Sequence, residues 1–551
     1  MQPFAHEVHA AAYCPVVIQE PSICSVAVVR TPPKSLYRRE QLVKTSSLPP
    51  HSALLINETL TFVLHQAPPQ MSFRARVIAA VGWTASGRFL GQLVAWAVTF
   101  VVIRILSPED YGLLAMATVL TGFAGLFSEF GLSWALVHAR ELDTQTLRRA
   151  FGLVIAVNGA LSAFVFAIAP LVAAFFGEDR LTDIVRVLGI QFLIIAPGVI
   201  PDSMLQRNLE FKWRSVVELS STIAGAATTL GLALTGFGVW SLVYGSLLMA
   251  AWRTIGINLA HPFLHSPSFV FRGLGKLFAF GGYVALSKFL MFLYLSADTA
   301  IGGRVLGKEQ IGYYSVGMNL ASLPLLRITV MLNEIAFPAF ARLQDERERV
   351  GDILLQSVRL LSMFAFPVFW GIAAVAPEIV NVFLGAKWAP AILPLQLLSL
   401  VMPVRMIGQL MSPTLQGVGK VKLVVLNQLF ACLVMIAAFL VGVQFGIVGL
   451  SLAWVIAFPV IFLVNLTTWL PVVRLRATQL LGAMGRSALA GVGMIAAVAG
   501  LRSAAGLDGP YALLLLVLVG AASYVALSLA INRDALRGVL LLFRRGSGNQ
   551  Q

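Results

Sequence analysis

The stretch GWTASGRFLGQLVAWAVTFVVIRILSPEDYG, residues 82–112, decides the fold because the chain carries a second copy of it. Shifted by 200 positions without a gap, it aligns with GYVALSKFLMFLYLSADTAIGGRVLGKEQIG, residues 282–312, and eleven of the thirty-one pairs are identical. Shared apolar composition does not easily explain three of the matches: Arg104 with Arg304, Glu109 with Glu309, and Gly112 with Gly312. We therefore predict an internal repeat.

The whole chain has the composition of a polytopic membrane protein. Of its 551 residues, 58% are hydrophobic and only 12% are charged. The mean hydropathy is +0.83, which is far above that of soluble globular proteins. The net charge of +15 fits basic cytoplasmic loops and anionic lipid headgroups, and no motif for nucleic-acid binding accompanies it. Three cysteines, Cys14, Cys24 and Cys432, form neither a metal-type cluster nor a disulfide framework.

Apolar runs long enough to cross a membrane follow one another from Val77 onward. A crossing of ~30 Å takes about 20 residues at a rise of about 1.5 Å per residue. These runs predict an all-α protein with about fourteen transmembrane helices. Their approximate centres are Leu90, Phe123, Ala163, Ile194, Ala226, Gly245, Phe289, Pro324, Phe364, Met402, Val434, Ala457, Gly493 and Leu518.

Weaker similarities extend the repeat along the chain. MLQRNLEFK from Met204 resembles TLQGVGKVK from Thr414, and FGVWSL from Phe237 resembles FGIVGL from Phe445. Each copy begins on the same side of the membrane, so the copies are parallel and related by an axis along the membrane normal. We predict an N-terminal lobe of helices one to six (71–262), a C-terminal lobe of helices seven to twelve (263–472), and two added helices with a basic tail (473–551).

The distribution of Lys and Arg over alternate loops orients the chain. One set of loops carries 23 of these cations and the other set carries seven, so the first set is assigned to the cytoplasm. Both termini then face the cytoplasm, which requires an even number of spans. The seven cations of the periplasmic side are Arg104, Arg180, Arg186, Arg304, Lys308, Lys387 and Arg502.

Residues 1–70 differ in kind from the rest of the chain. They hold scattered prolines, a basic patch KSLYRRE, and one apolar run, SALLINETLTFVL, that is too short and too polar to span a membrane. They lack the ordered regions of a signal peptide. We expect a disordered extension, and Met71 is a candidate for the true start; a functional tail is the alternative.

Cations lie deep in several of the predicted helices. Arg88 lies ~18 Å along the first helix from Arg76, near the middle of the bilayer, and Lys288 is its copy in the repeat. A charge there costs roughly 3 kcal/mol unless it faces water, a partner or the protein interior. Arg327 and Arg405 are two further deep cations, and Gln92 extends the polar stripe around Arg88.

These residues define the candidate site. A guanidinium binds phosphate through two parallel hydrogen bonds and an ammonium acts as a point charge, so Arg88 with Lys288 would suit a pyrophosphate in a cavity between the lobes. The alternative is that each cation pairs with a carboxylate and only ties the bundle together. The carboxylates available for such pairs are Glu129, Glu218, Asp298 and Glu334.

Three of the same carboxylates are candidates for coupling to an ion gradient. Asp298, Glu218 or Glu334 would carry a proton or help to hold sodium if burial and neighbouring groups tune them. Ion pairing within the bundle is an equally good reading of these residues. Neither a cofactor nor a bound metal is expected.

The ordered motifs of the chain resemble those of the polysaccharide flippases, the O-antigen, lipopolysaccharide or colanic-acid type exporters of the multidrug, oligosaccharidyl-lipid and polysaccharide exporter superfamily. The resemblance covers about residues 71–480. Its motifs are RILSPEDYGLLAM (104–116) with FSEFGLSWALV after it, DTAIGGRVLGKEQIGYYSVGMNLASLP (298–324), IAFPAFARLQD (335–345) and LGAKWAPAILPLQLLSL (384–400).

The resemblance implies fourteen helices in two lobes, alternating access, and transfer of an undecaprenyl-pyrophosphate-linked oligosaccharide from the cytoplasmic to the periplasmic leaflet of the bacterial inner membrane. It implies a secondary transporter rather than an enzyme, with a polysaccharide polymerase and a chain-length regulator as further partners beside membrane lipids. Family cavities are cationic, which maps to Arg88, Lys288 and Arg327. The matching loop residues, to which we assign turn and headgroup roles, are Arg104, Asp110, Gly112, Arg304 and Gly312.

Two other readings remain open. A multidrug exporter of the same superfamily would share the fold, but cationic drugs favour an acidic cavity. A membrane glycosyltransferase or polysaccharide polymerase would need a sizeable outer loop with acid and base groups near the sugar. The longest outer loops here, around FFGEDRLTD and APEIVNVFLGAKW, offer no such set.

Overall fold

The computed structural model describes residues 91, 95–128, 136, 143–208, 210–263, 265–270, 281–342, 346–506 and 509–531. The side chains at 281–285, 326–339, 341–342 and 505 fall outside this description. All of these residues belong to one compact unit of the chain, Ser72–Gln551. The predicted extension, residues 1–70, lies outside the described residues.

The first half of the described chain contains eight helices. They are α1 (Ala95–Ile105), α2 (Pro108–Ser128), α3 (Thr144–Phe176), α4 (Arg180–Gly189), α5 (Gln191–Ile195), α6 (Val199–Arg207), α7 (Phe211–Leu234) and α8 (Val239–Ala260). A short 3-10 turn, Ala196–Gly198, joins α5 to α6 and contains Pro197, whose ring prevents a regular α-helical hydrogen bond.

The second half contains nine helices. They are α9 (Gly281–Arg342), α10 (Arg347–Ala374), α11 (Ala376–Ile379), α12 (Ile392–Gly408), α13 (Met411–Gly417), α14 (Val421–Gly442), α15 (Gly446–Trp469), α16 (Ala477–Ala505) and α17 (Pro510–Ile531). A π-helical turn, Val380–Leu384, and a 3-10 segment, Ala386–Ala391, connect α11 to α12.

The described part of the chain is nearly all helical and contains no strand, which confirms the predicted fold class. Ten of the described helical segments are long and apolar enough to cross a membrane. Two of them are much longer than one membrane crossing requires. Val421–Trp469 joins α14 to α15, and Leu286–Leu325 contains the break in α9. Thirteen of the predicted centres lie in described helices, whereas Leu90 lies outside the description. The number fourteen itself stays a prediction.

The break in α9 falls at Gly307. Its φ of 78° lies in the left-handed region, which a residue without Cβ adopts at no steric cost. The break divides α9 into an arm over 281–306, which holds Lys288 and Asp298, and an arm over 308–342. Both arms contribute to the main hydrophobic core, where Tyr294 and Tyr314 are buried together.

The two copies of the repeated stretch meet where α2 begins and α9 breaks. A Cβ added to Gly112 would lie 2.6 Å from the carbonyl carbon of Lys308, and one added to Gly312 would lie 2.7 Å from the carbonyl carbon of Pro108. Positions 108 and 308 are equivalent in the repeat, and so are 112 and 312. These four residues form two equivalent contacts, Gly112 with Lys308 and Gly312 with Pro108. The two contacts together are called the interlobe contact.

The last two helices pack beside α10. Val498 of α16 and Leu516 of α17 form one buried cluster with Ala374 and Val375. At the same end of these helices the Arg502 guanidinium forms hydrogen bonds with both carboxylate oxygens of Glu378, at 2.8 and 2.7 Å. This ion pair fastens α16 to α11.

Candidate substrate and coupling site

The structure describes the predicted cavity cations to different extents. Arg88 and Gln92 lie outside the described residues, and the side chain of Arg327 is not described. Lys288 lies on the first arm of α9 with its side chain exposed, and no described carboxylate lies within 4.0 Å of its ammonium. Arg405 lies near the end of α12 and is only 7% exposed.

The buried guanidinium of Arg405 stacks on an aromatic ring. Its central carbon lies 4.0 Å from the centre of the Trp454 indole of α15. Its Nη1 donates weakly to two thioether sulfurs, Met402 at 3.7 Å and Met318 at 3.8 Å. Among the described side chains no carboxylate comes within ion-pair distance of Arg405. A cation in this position is stabilised by the face of the indole but keeps hydrogen-bonding capacity for a stronger acceptor.

Asp298 is buried in the same core and accepts four hydrogen bonds. Its Oδ1 accepts from the backbone N–H of Thr299 at 2.6 Å and from the Thr299 hydroxyl at 3.2 Å. Its Oδ2 accepts from the Tyr314 hydroxyl at 2.7 Å and from the Trp454 indole N–H at 3.2 Å. These donors favour the ionised carboxylate and complete burial disfavours it, so Asp298 is subject to two opposed influences on its charge.

The other two predicted coupling carboxylates do not join this cluster in the described structure. Glu218 lies on an exposed face of α7. The side chain of Glu334, on the second arm of α9, is not described. Asp298 is therefore the one of the three coupling candidates that the described structure places in the buried cluster.

Trp454 joins the two charged groups that the sequence singled out separately. One face of its ring carries Arg405, and its edge N–H reaches Asp298 and, at 2.9 Å, the Tyr314 oxygen. Tyr294 packs edge-on against the same indole at 5.4 Å between ring centres. The sequence prediction missed all three aromatic residues, because aromatic residues in apolar helices usually indicate core. The only available signal was the presence of phenol and indole donors in helices that also carry a buried acid.

The predicted loop residues form a second site at the ends of the helices. Asp110 is buried at the start of α2, where its Oδ2 accepts from the backbone N–H of Ser107 at 3.0 Å and from the Ser107 hydroxyl at 2.7 Å. Its Oδ1 accepts from the N–H of Val239, the first residue of α8, at 2.9 Å. One carboxylate thus caps two helix N-termini, where negative charge is favourable.

The first and second halves of the described chain also touch through side chains at this end. Trp388 is fully buried and donates its indole N–H to the Ile103 carbonyl at 2.9 Å. Lys387 donates to the Ile105 carbonyl at 3.2 Å. The Lys308 ammonium lies 3.0 Å from Glu178 and 3.4 Å from Glu109. Together with the interlobe contact, these groups join the two halves of the described chain at this end, which is called the closed end below.

Arg104 and Arg304, which are equivalent in the repeat, lie at this closed end with exposed side chains. Arg104 Nη1 donates to the Val382 carbonyl at a long 3.4 Å. The Arg304 guanidinium lies 6.0 Å from the centre of the Phe175 ring. Both cations are therefore close to the helix ends and free of strong acceptors among the described groups.

The arrangement is suited to binding and charge exchange. The described residues contain no group of three or more His, Cys, Asp or Glu that could hold a metal ion. What the core offers is a guanidinium stacked on an indole, a carboxylate within hydrogen-bond distance of that indole, and hinge-like interruptions after Pro403 and at Pro197. Such a site can bind an anion and exchange a proton.

Comparisons with known sequences give a consistent result. The chain is 24% identical to the lipopolysaccharide biosynthesis protein WzxC of Escherichia coli over 70% of this chain and 79% of that protein. It is 29% identical to the succinoglycan biosynthesis transport protein ExoT of Rhizobium meliloti over 62% and 69%. It is 25% identical to the teichuronic acid biosynthesis protein TuaB of Bacillus subtilis over 61% and 70%.

Solved structures support the fold. The lipid II flippase MurJ in an inward closed conformation superposes with a TM-score of 0.69 at 17% identity, over 83% of this chain and 100% of that chain. An inward-facing multidrug resistance MATE transporter of the MOP superfamily superposes with a TM-score of 0.54 at 16% identity, over 70% and 96%. At these identities the likeness shows a shared fold and nothing finer.

A family model described as polysaccharide biosynthesis protein matches residues 101–393, more than half of the chain. The match includes α2, the whole of α9 and the segment that carries Trp388. It confirms the resemblance inferred from the sequence motifs. The chain therefore belongs to the polysaccharide biosynthesis protein family.

Proposed function

We propose that the chain is a flippase that moves an undecaprenyl-pyrophosphate-linked oligosaccharide from the cytoplasmic to the periplasmic leaflet by alternating access, for surface polysaccharide biosynthesis. Two relatives support a transport role rather than an enzymatic one, because ExoT is named a transport protein and MurJ a flippase. The relatives named for lipopolysaccharide, succinoglycan and teichuronic acid support a surface glycan as cargo.

The observation that carries the proposal is the buried Arg405 guanidinium. Burying a charge without a charged acceptor is costly. The polar neighbours of the guanidinium are the sulfurs of Met318 and Met402, which are weak acceptors, and the neutral hydroxyl of Tyr294. A phosphate oxygen would be a far stronger partner, and charge-assisted hydrogen bonds of this kind are about twice as strong as neutral ones. The anionic part of the cargo supplies that partner.

The remaining predicted residues are proposed to contact the cargo or the lipid headgroups. Lys288 is exposed and has no described carboxylate partner, so its ammonium is available to a diphosphate. Arg88, Arg327 and Gln92 are proposed for the same cavity on the strength of the repeat and of their depth in the helices. Arg104 and Arg304 would contact headgroups at the closed end.

The ion proposed to bind at Asp298 is the proton. A sodium ion would need several oxygen acceptors around it, whereas both Asp298 oxygens already accept from N–H and O–H donors. A proton needs only the carboxylate itself. Glu218 and Glu334 are retained as secondary candidates.

The chain is a multi-pass membrane protein. We propose that it lies in the bacterial inner membrane with both termini in the cytoplasm, as the charge distribution predicts. A polysaccharide polymerase and a chain-length regulator would act on the glycan after its transfer.

Complementation of a flippase-deleted bacterium with a known surface glycan tests the function. The full chain should restore the glycan, and Arg405→Gln should abolish it while lipid-linked precursor accumulates. Lys288→Ala and Arg88→Ala should each reduce it. Arg349→Gln is the matched control, because its guanidinium is 66% exposed and pairs only with the exposed Glu346 among the described residues.

The outcomes distinguish a flippase with an anionic cargo from a multidrug exporter. Restoration by the full chain and by Arg349→Gln, with loss in Arg405→Gln at equal membrane expression, supports the flippase and its anionic cargo. Full glycan with Arg405→Gln would remove Arg405 from the cargo site. Failure of the full chain with accumulated precursor, combined with acquired resistance to cationic drugs, would favour a multidrug exporter.

A further inference from the structure

The buried acid and the buried cation of the core lie in one cluster without forming an ion pair. Asp298 is 2% exposed and Arg405 is 7% exposed, yet no nitrogen of Arg405 comes within 4.0 Å of the carboxylate. A direct pair would be the usual way to offset the cost of burying both charges. Instead, Trp454 lies between them, with its ring under the guanidinium and its N–H on Asp298.

The indole is held firmly in this position. Trp454 is 1% exposed and packs against Phe439 and Tyr294, each at 5.4 Å between ring centres. Its N–H donates to Asp298 while its face carries Arg405. An ionised acceptor on the N–H enriches the ring in electrons, so the charge on Asp298 strengthens the attraction between the ring and the guanidinium.

Among the described residues, the titratable or charged groups around Asp298 are the two phenols of α9 and Arg405 of α12. Tyr314 donates to the carboxylate, and the charges of Asp298 and Arg405 both act on the phenols of Tyr294 and Tyr314. Because the core has a low dielectric constant, the carboxylate and the guanidinium interact over the width of the indole far more strongly than they would in water. When Asp298 takes up a proton, Arg405 loses its counter-charge, and the cation–π attraction between its guanidinium and the Trp454 ring weakens.

We propose that Trp454 links two binding events: an anion bound at Arg405 and a proton bound at Asp298 each strengthen the binding of the other. The proposal rests on the proposed function, since it takes the pyrophosphate of the cargo as the anion. With Asp298 ionised, Arg405 is held on the indole and partly neutralised. With Asp298 protonated, the guanidinium is free to form two hydrogen bonds with a phosphate, and the reciprocal effect follows from linkage.

Trp454 is in this scheme a positioning residue that acts through Asp298 and Arg405. The consequence for binding is that loading of the cargo takes up a proton and its release gives the proton back. Because an outward step would carry the cargo and the proton together, the proton gradient does not drive export through this site. The number of protons bound therefore differs between the loaded and the empty carrier, and this difference can be measured in the purified protein without transport.

The test uses the purified full chain in detergent micelles and farnesyl pyrophosphate as the soluble probe. Its dissociation constant is measured at pH 6 and pH 8 for the wild type and for Asp298→Asn, so that titration of the probe itself cancels. We expect affinity to rise at pH 6 by on the order of tenfold more in the wild type than in Asp298→Asn, within the usual range for coupled sites. A pH-indicator dye in weak buffer should report proton uptake on binding, and Asp298→Asn should abolish it.

Trp454→Phe tests the role of the indole N–H while leaving the charges of Asp298 and Arg405 in place. It keeps an aromatic face but removes the N–H, so we expect the probe to bind while the difference from Asp298→Asn disappears. Tyr314→Phe is the milder variant for the case in which Trp454→Phe or Asp298→Asn does not fold, and it should shift the pH at which affinity changes. Asp352→Asn, an exposed carboxylate on α10, is the matched control and should behave as the wild type.

Equal pH dependence in the wild type and Asp298→Asn, or no proton uptake, would overturn the linkage and leave the flippase proposal standing. A wild-type response in Trp454→Phe would remove the indole from the mechanism. Unchanged binding in Arg405→Gln would place the anion elsewhere, and complementation would then decide the function separately. Inorganic pyrophosphate should compete with the probe; without competition, the isoprenoid rather than the diphosphate would be the bound group, and the linkage would fail.

Discussion

Replacing Gly112 by alanine should open the end of the molecule that the interlobe contact holds shut. The added Cβ would lie 2.6 Å from the carbonyl carbon and 3.1 Å from the Cα of Lys308, both backbone atoms that no side-chain rotation can move. The Lys308 carbonyl oxygen would lie closer still. Because nonbonded heavy atoms pack at about 3.5–4.0 Å, α2 and α9 must separate by roughly 1.5 Å. Overpacking of this kind costs about 1–3 kcal/mol, which corresponds to a population change of roughly 5- to 150-fold against the closed arrangement.

The assay is cross-linking of Glu109→Cys to Lys308→Cys by a short bifunctional thiol reagent, in a chain from which Cys14, Cys24 and Cys432 have been removed. The reagent spans the gap left by the two longer native side chains, whose charged ends lie 3.4 Å apart. Cross-linking in membranes should be fast in this background and several-fold slower when Gly112→Ala is added. Gly125→Ala is the matched control in the same helix, because nothing lies within 4 Å of its added Cβ.

Gly312→Ala extends the test to the other copy of the repeat. Its Cβ would meet the Pro108 carbonyl carbon at 2.7 Å, so its effect should equal that of Gly112→Ala within about twofold. Cross-linking at the wild-type rate in Gly112→Ala, together with full glycan production, would refute the reasoning. A strong effect of Gly125→Ala would show that any added methyl group in α2 disturbs the closure.

Three further predictions concern stability and closure. Glu378→Gln leaves Arg502 without its charged acceptor and should cost about 2 kcal/mol, seen as a lower Tm in detergent. Asn158→Ala removes the amide that donates to the Ser128 carbonyl at 3.0 Å and accepts from its hydroxyl at 2.6 Å, and should cost about 1–3 kcal/mol by the same measurement. Trp388→Phe keeps the buried ring but leaves the Ile103 carbonyl without its donor, and should speed proteolysis of the connection between α11 and α12.

Each of these three predictions has an outcome that would contradict it. An unchanged Tm in Glu378→Gln would mean that the pair with Arg502 contributes no more than an exposed one, for which Glu348→Gln, paired with Arg474, is the comparison. An unchanged Tm in Asn158→Ala would mean that water replaces the lost amide. Equal proteolysis of Trp388→Phe and wild type would show that packing of the ring, not its N–H, holds the connection.

Much of the fold could be predicted from the sequence because it depends on composition and on spacing. The apolar runs predicted the helices. The glycines at 112 and 312, whose match supported the repeat, lie where its two copies meet in the described structure. Arg405 and Asp298 were also found in advance, because a charge in an apolar helix is rare enough to stand out.

The connection between those charges could not be predicted. Trp454 reaches Asp298 across 156 positions of sequence and Tyr314 across 140 positions. Which face of α15 turns toward α9 depends on the packing of four helices, and an aromatic residue in an apolar run gives no sign of its hydrogen-bond partner. The pairing of cation and acid through an indole is therefore a property of the tertiary structure alone.

The doubled contact between α2 and α9 has a consequence for the symmetry of the chain. Position 108 of one copy touches position 312 of the other, and position 308 touches position 112, so each surface meets its own equivalent. Two-fold homodimers have isologous interfaces of this form. Inside a single polypeptide, the contact therefore has the symmetry of an interface between two identical half-length proteins.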